Sequence, residues 1–341
     1  MKTLLVILFL WLSPFATAGR YTLAEYAADC EKHLGTIPDI RCSEGEEIPV
    51  FNSDLGTPIT STNHSGYHTQ CDNPSLLRSP FETWISGINP CVPHARIGRL
   101  KPQAGFPTEW VFFCRRYFNR SRYSNMYDDI NLIGHNPATG ATCFFVDHPN
   151  RTAPNGDSDS GRHGERIPAI RSAKGMEYWK GPRQIETQPV VTGGTPLCTD
   201  CHDADPWVHS PHVDQVLVNG EPVVPSNPHG KYWLVGVGSG MSPNWKTKHL
   251  VSPQANACTA CHRIGNKRGC DTMTNLAAGL DSIPHMTKAF ALSPFMPAES
   301  GRAEVRVGHK LGKEDLAAVN FINACCQRPG AAECRWEELP R

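Results

Sequence analysis

Apolar residues near the start of the chain recur every three or four positions, which is the spacing of one helical face. Between Thr22 and Gly35 these positions are Leu23, Tyr26, Ala27, Cys30 and Leu34. Thr22 followed by Glu25 matches a capping box, which marks the start of a helix. The pattern therefore predicts a first helix that ends before Gly35 and turns Cys30 toward the interior.

Helical periodicity is lost beyond this first segment. Residues 42–107 are rich in Pro, Gly, Ser and Asn. Two short runs follow, 110–114 and 143–146, with the apolar and aromatic content of β-strands. We expect an N-terminal region that is rich in loops and that relies on disulfides rather than on a large periodic core.

The C-terminal half carries a hairpin signal and a second clear helix. Residues 216–218 and 223–224 flank Asn219-Gly220, the pair favoured in a type I′ turn. Residues 232–237 resemble a further short strand, and 313–326 have the apolar spacing of a helix. The predicted fold class is α+β, irregular and disulfide-rich.

The first eighteen residues have the pattern of an export signal. Lys2 provides a positive charge, residues 4–12 are apolar, and Ala-Thr-Ala at 16–18 provides a cleavage site. The mature chain is expected to begin at Gly19 and to carry no transmembrane anchor.

Charge and composition narrow the possible partners. Lys plus Arg and Asp plus Glu both number 33, so the net charge is zero, and no basic stripe favours nucleic acid. The chain has 14 cysteines and 15 histidines, which is a high cysteine content for a protein of 341 residues.

Four of these cysteines belong to two copies of the motif Cys-x-x-Cys-His, at 198–202 and 258–262. This spacing is the attachment signature of a c-type haem, because two thiols one helical turn apart can form thioethers to one porphyrin edge. The adjacent histidine then becomes the proximal iron ligand. The predicted cofactor-binding residues are Cys198, Cys201, His202, Cys258, Cys261 and His262. A zinc site or a redox-active dithiol is the alternative interpretation of each motif.

The other ten cysteines form an even set in an exported chain, which predicts up to five disulfides. They are Cys30, Cys42, Cys71, Cys91, Cys114, Cys143, Cys270, Cys325, Cys326 and Cys334. We expect the adjacent Cys325 and Cys326 to bond to different partners, with Cys270 and Cys334 as the candidates. The sequence leaves the pairing open.

The second motif, the Ser-Pro-Phe-Met-Pro segment at 293–297 and the final helix with Phe321 occur in the order found in class I cytochromes c. The resemblance covers 256–326. It implies that the sulfur of Met296 is the sixth iron ligand opposite His262. The alternative ligands in this part of the chain are Met273, His285 and Met286.

The segment of the first motif does not resemble a class I unit, so its sixth iron ligand is open. The candidates are His209, His212, His229, Met241 and His249. His209 and His249 rank equally among them and Met241 ranks behind.

Two stretches with loop composition, 149–168 and 181–196, suggest where the chain divides. We predict a signal peptide (1–18), a disulfide-rich N-terminal domain (19–185), a first haem segment (186–255) and a cytochrome c-like second haem unit that is mainly α-helical (256–341).

These features predict a periplasmic dihaem cytochrome that carries electrons between a redox partner protein and a respiratory donor or acceptor. The alternative is a dihaem oxidoreductase, peroxidase-like or acting on sulfur or nitrogen compounds, in which the first haem is catalytic. A haem-based sensor ranks third. In the N-terminal region, His64, His68, His94 and His135 could reach a haem edge or a substrate, and no catalytic triad or phosphate loop is present.

Overall fold

The computed structural model describes residues 21–51, 57–60, 91–116, 118, 120–147, 162–182, 198, 202–209, 211–226, 229–237, 248–260, 262–266, 270–271, 274–277 and 312–341. The predicted signal peptide, Cys71, Cys201, Cys261, the ligand candidates Met241, Met273, His285, Met286 and Met296, and the histidines His64 and His68 lie outside these residues.

Twelve β-strands lie within the described part of the chain. They are β1 (Glu46–Glu47), β2 (Arg96–Leu100), β3 (Glu109–Arg115), β4 (Met126–Tyr127), β5 (Asp129–His135), β6 (Ala141–Asp147), β7 (Arg162–His163), β8 (Leu217–Val218), β9 (Glu221–Pro222), β10 (Trp233–Leu234), β11 (Lys248–Leu250) and β12 (Trp336–Glu338).

Six α-helices accompany them, together with short 3₁₀ turns at Cys42–Glu44 and Pro253–Ala255. The helices are α1 (Leu23–Leu34), α2 (Ala173–Tyr178), α3 (Pro211–Asp214), α4 (Asn256–Thr259), α5 (Thr274–Ala277) and α6 (Lys313–Gln327). The predicted α+β class with several disulfides is confirmed.

The central element is a six-stranded sheet with the order β1-β2-β3-β5-β6-β10. All neighbours are antiparallel except β10, which joins β6 in parallel. In the register of β3 and β5, Trp110 lies opposite Gly134. A Cβ added at Gly134 would come within 2.4 Å of the Trp110 ring, so only glycine leaves room for this fully buried tryptophan.

Helix α1 begins at the predicted capping box and packs on the sheet through its apolar face. The Thr22 hydroxyl accepts a hydrogen bond from the Glu25 amide, and the Glu25 carboxylate accepts one from the Thr22 amide. Tyr26 is fully buried, and its hydroxyl accepts a hydrogen bond of 2.9 Å from the Phe144 amide on β6. The prediction that Cys30 lies on the buried face is confirmed, because it is fully buried and bonded to Cys143.

Four disulfides are described: Cys30–Cys143, Cys42–Cys114, Cys270–Cys326 and Cys325–Cys334. Cys91 is disulfide-bonded as well. The prediction for the adjacent cysteines is confirmed, since Cys325 bonds to Cys334 and Cys326 to Cys270. Two of these four bridges join cysteines of the N-terminal region, and the other two join cysteines of the C-terminal region.

The region between the two motifs is attached to the N-terminal sheet. Its Asn-Gly hairpin is present as β8 and β9, and both turn residues have the positive φ that a type I′ turn requires, 55° at Asn219 and 84° at Gly220. The strand predicted at 232–237 is shorter, Trp233–Leu234, and is the β10 that extends the sheet. The predicted domain limits remain a sequence-based division.

The second motif lies in a small C-terminal cluster. Helix α4 carries the motif and packs against α6, while β11 pairs with β12 beyond the end of α6. The core of this cluster is formed by Leu250, Ala255, Ile322, Cys325 and Cys334. The helix predicted at 313–326 is confirmed as Lys313–Gln327.

The N-terminal region has a larger regular core than the sequence predicted. Strands β3 and β6 match the runs at 110–114 and 143–146, whereas β2 and β5 were missed. In β5, Ile130 and Leu132 alternate with polar positions, but Gly134 and His135 interrupt the pattern where the strand passes Trp110. Among the described residues, no helix is both long and apolar enough to cross a membrane.

Candidate functional site

In each Cys-x-x-Cys-His motif, the histidine amide is hydrogen-bonded to the carbonyl of the first cysteine, four residues earlier. The His202 amide donates to the Cys198 carbonyl at 2.9 Å, and the His262 amide donates to the Cys258 carbonyl at the same distance. Residues four apart in a helical turn lie on one face. In both motifs, therefore, the first cysteine and the histidine lie side by side, as attachment to a single porphyrin would require.

The ring of His202 is held by one hydrogen bond that fixes its tautomer. Its Nδ1 lies 2.9 Å from the carbonyl oxygen of Pro206. Since a carbonyl can only accept, Nδ1 carries the proton and Nε2 is the atom left for a metal. Histidines that bind metal ions usually donate their second ring nitrogen in this way.

One aromatic ring packs against the ring of His202, and a tyrosine hydroxyl binds its backbone carbonyl. The ring of Phe144 lies 5.0 Å from the His202 ring between centroids, and the Tyr232 hydroxyl donates to the His202 carbonyl at 2.6 Å. Burial lowers the pKa of His202 to about 4. The hydrogen bond to Pro206 acts to raise this pKa, and the positive charge of Arg115 acts, more weakly, to lower it. The imidazole is therefore neutral at pH 7, the form that binds iron.

The wall around the first motif comes from the sheet and the C-terminus. Cys198 packs beside Phe144 of β6, Tyr232 and Leu234 of β10, and Leu339 near the end of the chain. The extra parallel strand β10 thus brings the region after the first motif onto the edge of the sheet, and the first motif lies against that edge.

The second motif is more open. His262 is exposed, and Cys258 is half-buried. Cys258, Ile264 and Phe321 of α6 all pack against the core of the C-terminal cluster. Burial, followed by the charge of Asp315, raises the pKa of the Cys258 thiol.

The two motifs are in contact through the residues that follow them. Arg263 donates to the carbonyl oxygens of Ala204 at 3.0 Å and Gly230 at 2.6 Å, and pairs with the Asp205 carboxylate at 3.4 Å. Burial raises the pKa of Asp205 to about 6, and the positive charge of Arg263 acts against that rise.

A glycine brings the two segments still closer. A Cβ added at Gly265 would lie 2.2 Å from the carboxylate of Asp203, the residue that follows His202. The other side of Gly265 forms a bridge with His249. The backbone after the second motif is therefore pressed against the side chains after the first.

Of the four described ligand candidates, His209 is fixed by a carboxylate. Its Nδ1 lies 2.9 Å from Asp214, and the hydrogen bond and charge of Asp214 raise the pKa of His209 although burial acts to lower it. Partial desolvation and the charge of His209 lower the pKa of His262, and Asp214 raises it.

The other three candidates occupy different places. Nε2 of His229 donates to the carbonyl of Ala260, inside the second motif, at 3.2 Å. His212 is buried in α3. His249 lies on β11, where burial and then the charge of Arg263 lower its pKa. Whether any of these four binds the first iron stays a prediction.

Two N-terminal histidines are buried on the sheet. Nδ1 of His135 hydrogen-bonds to the Thr142 hydroxyl at 2.8 Å, and its ring packs edge-on against Trp207, just after Pro206. Nδ1 of His94 lies 2.7 Å from Glu47.

The residues that sequence reasoning missed are Phe144, Pro206, Tyr232 and Arg263. Only Arg263 carried a signal, as a charged residue directly after a motif; the others become neighbours of His202 through the fold. Within the described ranges, no group of three or more His, Cys, Asp or Glu side chains converges to hold a metal ion. Compared with family models, curated proteins and solved structures, the chain matches none of them.

Proposed function

We propose that this protein holds two covalently attached c-type haems, at 198–202 and 258–262, and transfers electrons between redox partner proteins. The observation that carries the proposal is the ring of His202. It lies one helical turn from Cys198, it is neutral, and its Nδ1 is bonded to the Pro206 carbonyl, so Nε2 is directed to a ligand role. A histidine directly after the second cysteine is not a requirement of a zinc site or of a redox-active dithiol, and this chain has it twice.

The residues of each motif have separate tasks. Cys198 and Cys201 anchor one porphyrin edge through thioethers, and His202 binds the iron; Cys258, Cys261 and His262 do the same at the second site. A haem held in this way supplies one-electron oxidation and reduction at its iron. Phe144 packs against the ring of His202, and the Tyr232 hydroxyl holds the His202 backbone.

The second site is proposed to be a trimmed class I cytochrome c unit. In support, α4 packs on α6, and Phe321 and Cys258 pack against the same hydrophobic cluster. Met296 remains the proposed sixth ligand, and it lies outside the described residues. A thioether ligand favours ferrous iron and a high reduction potential.

The proposed location is the periplasm, reached through the signal peptide at 1–18. The disulfides of the chain are compatible with a periplasmic or extracellular compartment, because they persist where the surroundings are oxidising. Haem attachment after export would explain why the motif cysteines are kept apart from the four described bridges.

The difference between the two sites favours a second candidate function, a dihaem oxidoreductase with a catalytic first haem. His202 is half-buried, with its ring against Phe144, whereas His262 is exposed. If the first iron keeps an open position, a small substrate could bind there.

Absorption spectra of the purified holoprotein, oxidised and reduced at pH 7, distinguish the two functions. Electron transfer predicts low-spin bands for both haems. A high-spin band together with turnover of peroxide or of a sulfur or nitrogen compound supports the oxidoreductase and contradicts the electron carrier.

Paired variants test the attachment sites. The double variant Cys198→Ala/Cys201→Ala is expected to lose half of the haem absorbance per chain. The matched control Cys42→Ala/Cys114→Ala removes a disulfide of the N-terminal region instead and is expected to keep the full absorbance. Equal haem content in both variants would contradict attachment at the first motif.

A further inference from the structure

One buried arginine joins the two motifs. Arg263 directly follows His262, its side chain is 1% exposed, and it pairs with Asp205 at 3.4 Å. Its Nη1 donates to the carbonyl of Ala204, which lies two residues after His202. Arg263 is therefore the neighbour of His262 in the chain, and its guanidinium is hydrogen-bonded two residues away from His202.

We propose, resting on the proposed function, that Arg263 is a positioning residue that fixes the two haems relative to each other, and that its charge favours the reduced state of both. Reduction adds an electron to an iron centre, and a fixed cation nearby stabilises the product. In a protein of effective dielectric constant near 20, a unit charge about 10 Å away changes such an equilibrium roughly tenfold.

The contacts of Arg263 are suited to holding a distance. Its two hydrogen bonds go to backbone carbonyls, which move less than side chains, and they tie the motif to the segments on both sides of α3. Gly265 adds a second point of contact, against Asp203. The segments that follow the two motifs cannot separate without losing both the hydrogen bonds of Arg263 and the contact at Gly265.

A purely structural role would not require a charge at this place. Replacing a buried ion pair with apolar residues of similar volume is often neutral or stabilising. Asp205, which is 26% exposed, neutralises the charge of the guanidinium only in part. The direction of the shift in reduction potential therefore distinguishes an effect of the Arg263 charge from an effect of packing.

Potentiometric titration of the holoprotein, followed by absorption, tests the charge. Arg263→Gln is expected to lower the potential of at least one haem by about 59 mV, a tenfold change in its reduction equilibrium. Asp205→Asn removes the compensating carboxylate and is expected to raise the potential. Arg263→Lys keeps the charge and is expected to stay near the native value.

Arg120→Gln is the matched control. Arg120, whose side chain is 3% exposed, pairs at 2.6 Å with Asp128, which is 4% exposed, and this ion pair lies outside the contact between the motifs. The potentials of this variant are expected to remain native.

Electron paramagnetic resonance of the oxidised holoprotein tests the positioning. Arg263→Lys has lost the forked hydrogen bonds, so the magnetic interaction between the two ferric centres is expected to weaken although the potentials are kept. An unchanged interaction in both Arg263 variants overturns the positioning role.

Three results overturn the role of the charge: unchanged potentials in Arg263→Gln, an equal shift in Arg120→Gln, or a fall in potential for Asp205→Asn. If Arg263→Gln does not accumulate, the double variant Arg263→Gln/Asp205→Asn is compared with Asp205→Asn alone, and equal potentials in these two variants overturn the role of the charge. Failure of the proposed function is distinct, because the wild-type protein would then contain no haem to titrate.

Discussion

Removing the disulfide between Cys30 and Cys143 is expected to destabilise the protein far more than removing the one between Cys325 and Cys334. The first bridge closes a loop with a sequence separation of 113 residues, and the second a loop of only 9. In the chain-entropy description, a disulfide stabilises by restricting the unfolded chain, and the effect grows with the logarithm of the loop. The predicted losses are about 5 kcal/mol and about 2.5 kcal/mol.

The long bridge also supports the first motif. Cys143 directly precedes Phe144 on β6, and the Phe144 ring lies 5.0 Å from that of His202. Loosening α1 from β6 is therefore expected to alter the surroundings of His202 as well as the free energy of unfolding.

Urea unfolding of two double alanine variants measures the difference. Cys30→Ala/Cys143→Ala and Cys325→Ala/Cys334→Ala each leave no odd thiol, and alanine places no polar atom in the core. The free energy of unfolding is obtained by linear extrapolation for both and for the wild type. If the short-loop variant loses as much free energy of unfolding as the long-loop variant, or more, loop entropy does not determine the contribution of these disulfides.

Three further predictions concern single side chains. Tyr232→Phe removes the hydroxyl that donates to the His202 carbonyl and is expected to lower the free energy of unfolding by about 1–3 kcal/mol, measured in urea. Gly265→Ala forces a Cβ to within 2.2 Å of a carboxylate and is expected to lose about 1–3 kcal/mol, whereas Gly330→Ala, which meets nothing within 4 Å, should stay within about 0.5 kcal/mol of wild type. Burial and then the charge of Arg263 hold the pKa of His135 at about 4 in the folded protein. On acidification the unfolded chain therefore binds the extra proton first, and the free energy of unfolding falls as the pH drops from about 6.5 to 4. This histidine contributes about 3 kcal/mol to that fall, and His135→Asn is expected to flatten the profile; an unchanged slope would contradict the prediction.

Local sequence signals predicted the elements that depend on neighbours in the chain. The capping box of α1, the Asn-Gly turn and the final helix are determined by residues a few positions apart. The pairing of Cys325 and Cys326 with different partners followed from geometry, because adjacent side chains on one helix point in different directions.

Long-range features could not be predicted in this way. Strand β5 was missed because Gly134 breaks its alternation, and that glycine is explained only by Trp110 on the neighbouring strand. The parallel addition of β10 to β6 places Tyr232 beside His202, and no local pattern marks this contact.

The candidate site likewise has a part that could be predicted from the sequence and a part that could not. The two Cys-x-x-Cys-His motifs are local, so their residues could be named from the sequence. Their contact through Arg263 and Asp205 links positions 58 residues apart, and the choice of Pro206 as the partner of His202 depends on a turn without a clear signature.

The intact mass of the mature protein, purified from a periplasm that attaches c-type haem, shows whether two haems are covalently bound. The expected mass is that of the chain from Gly19 plus two haem groups that remain after denaturation. A mass equal to that of the polypeptide alone, or one increased only by bound zinc, would contradict it.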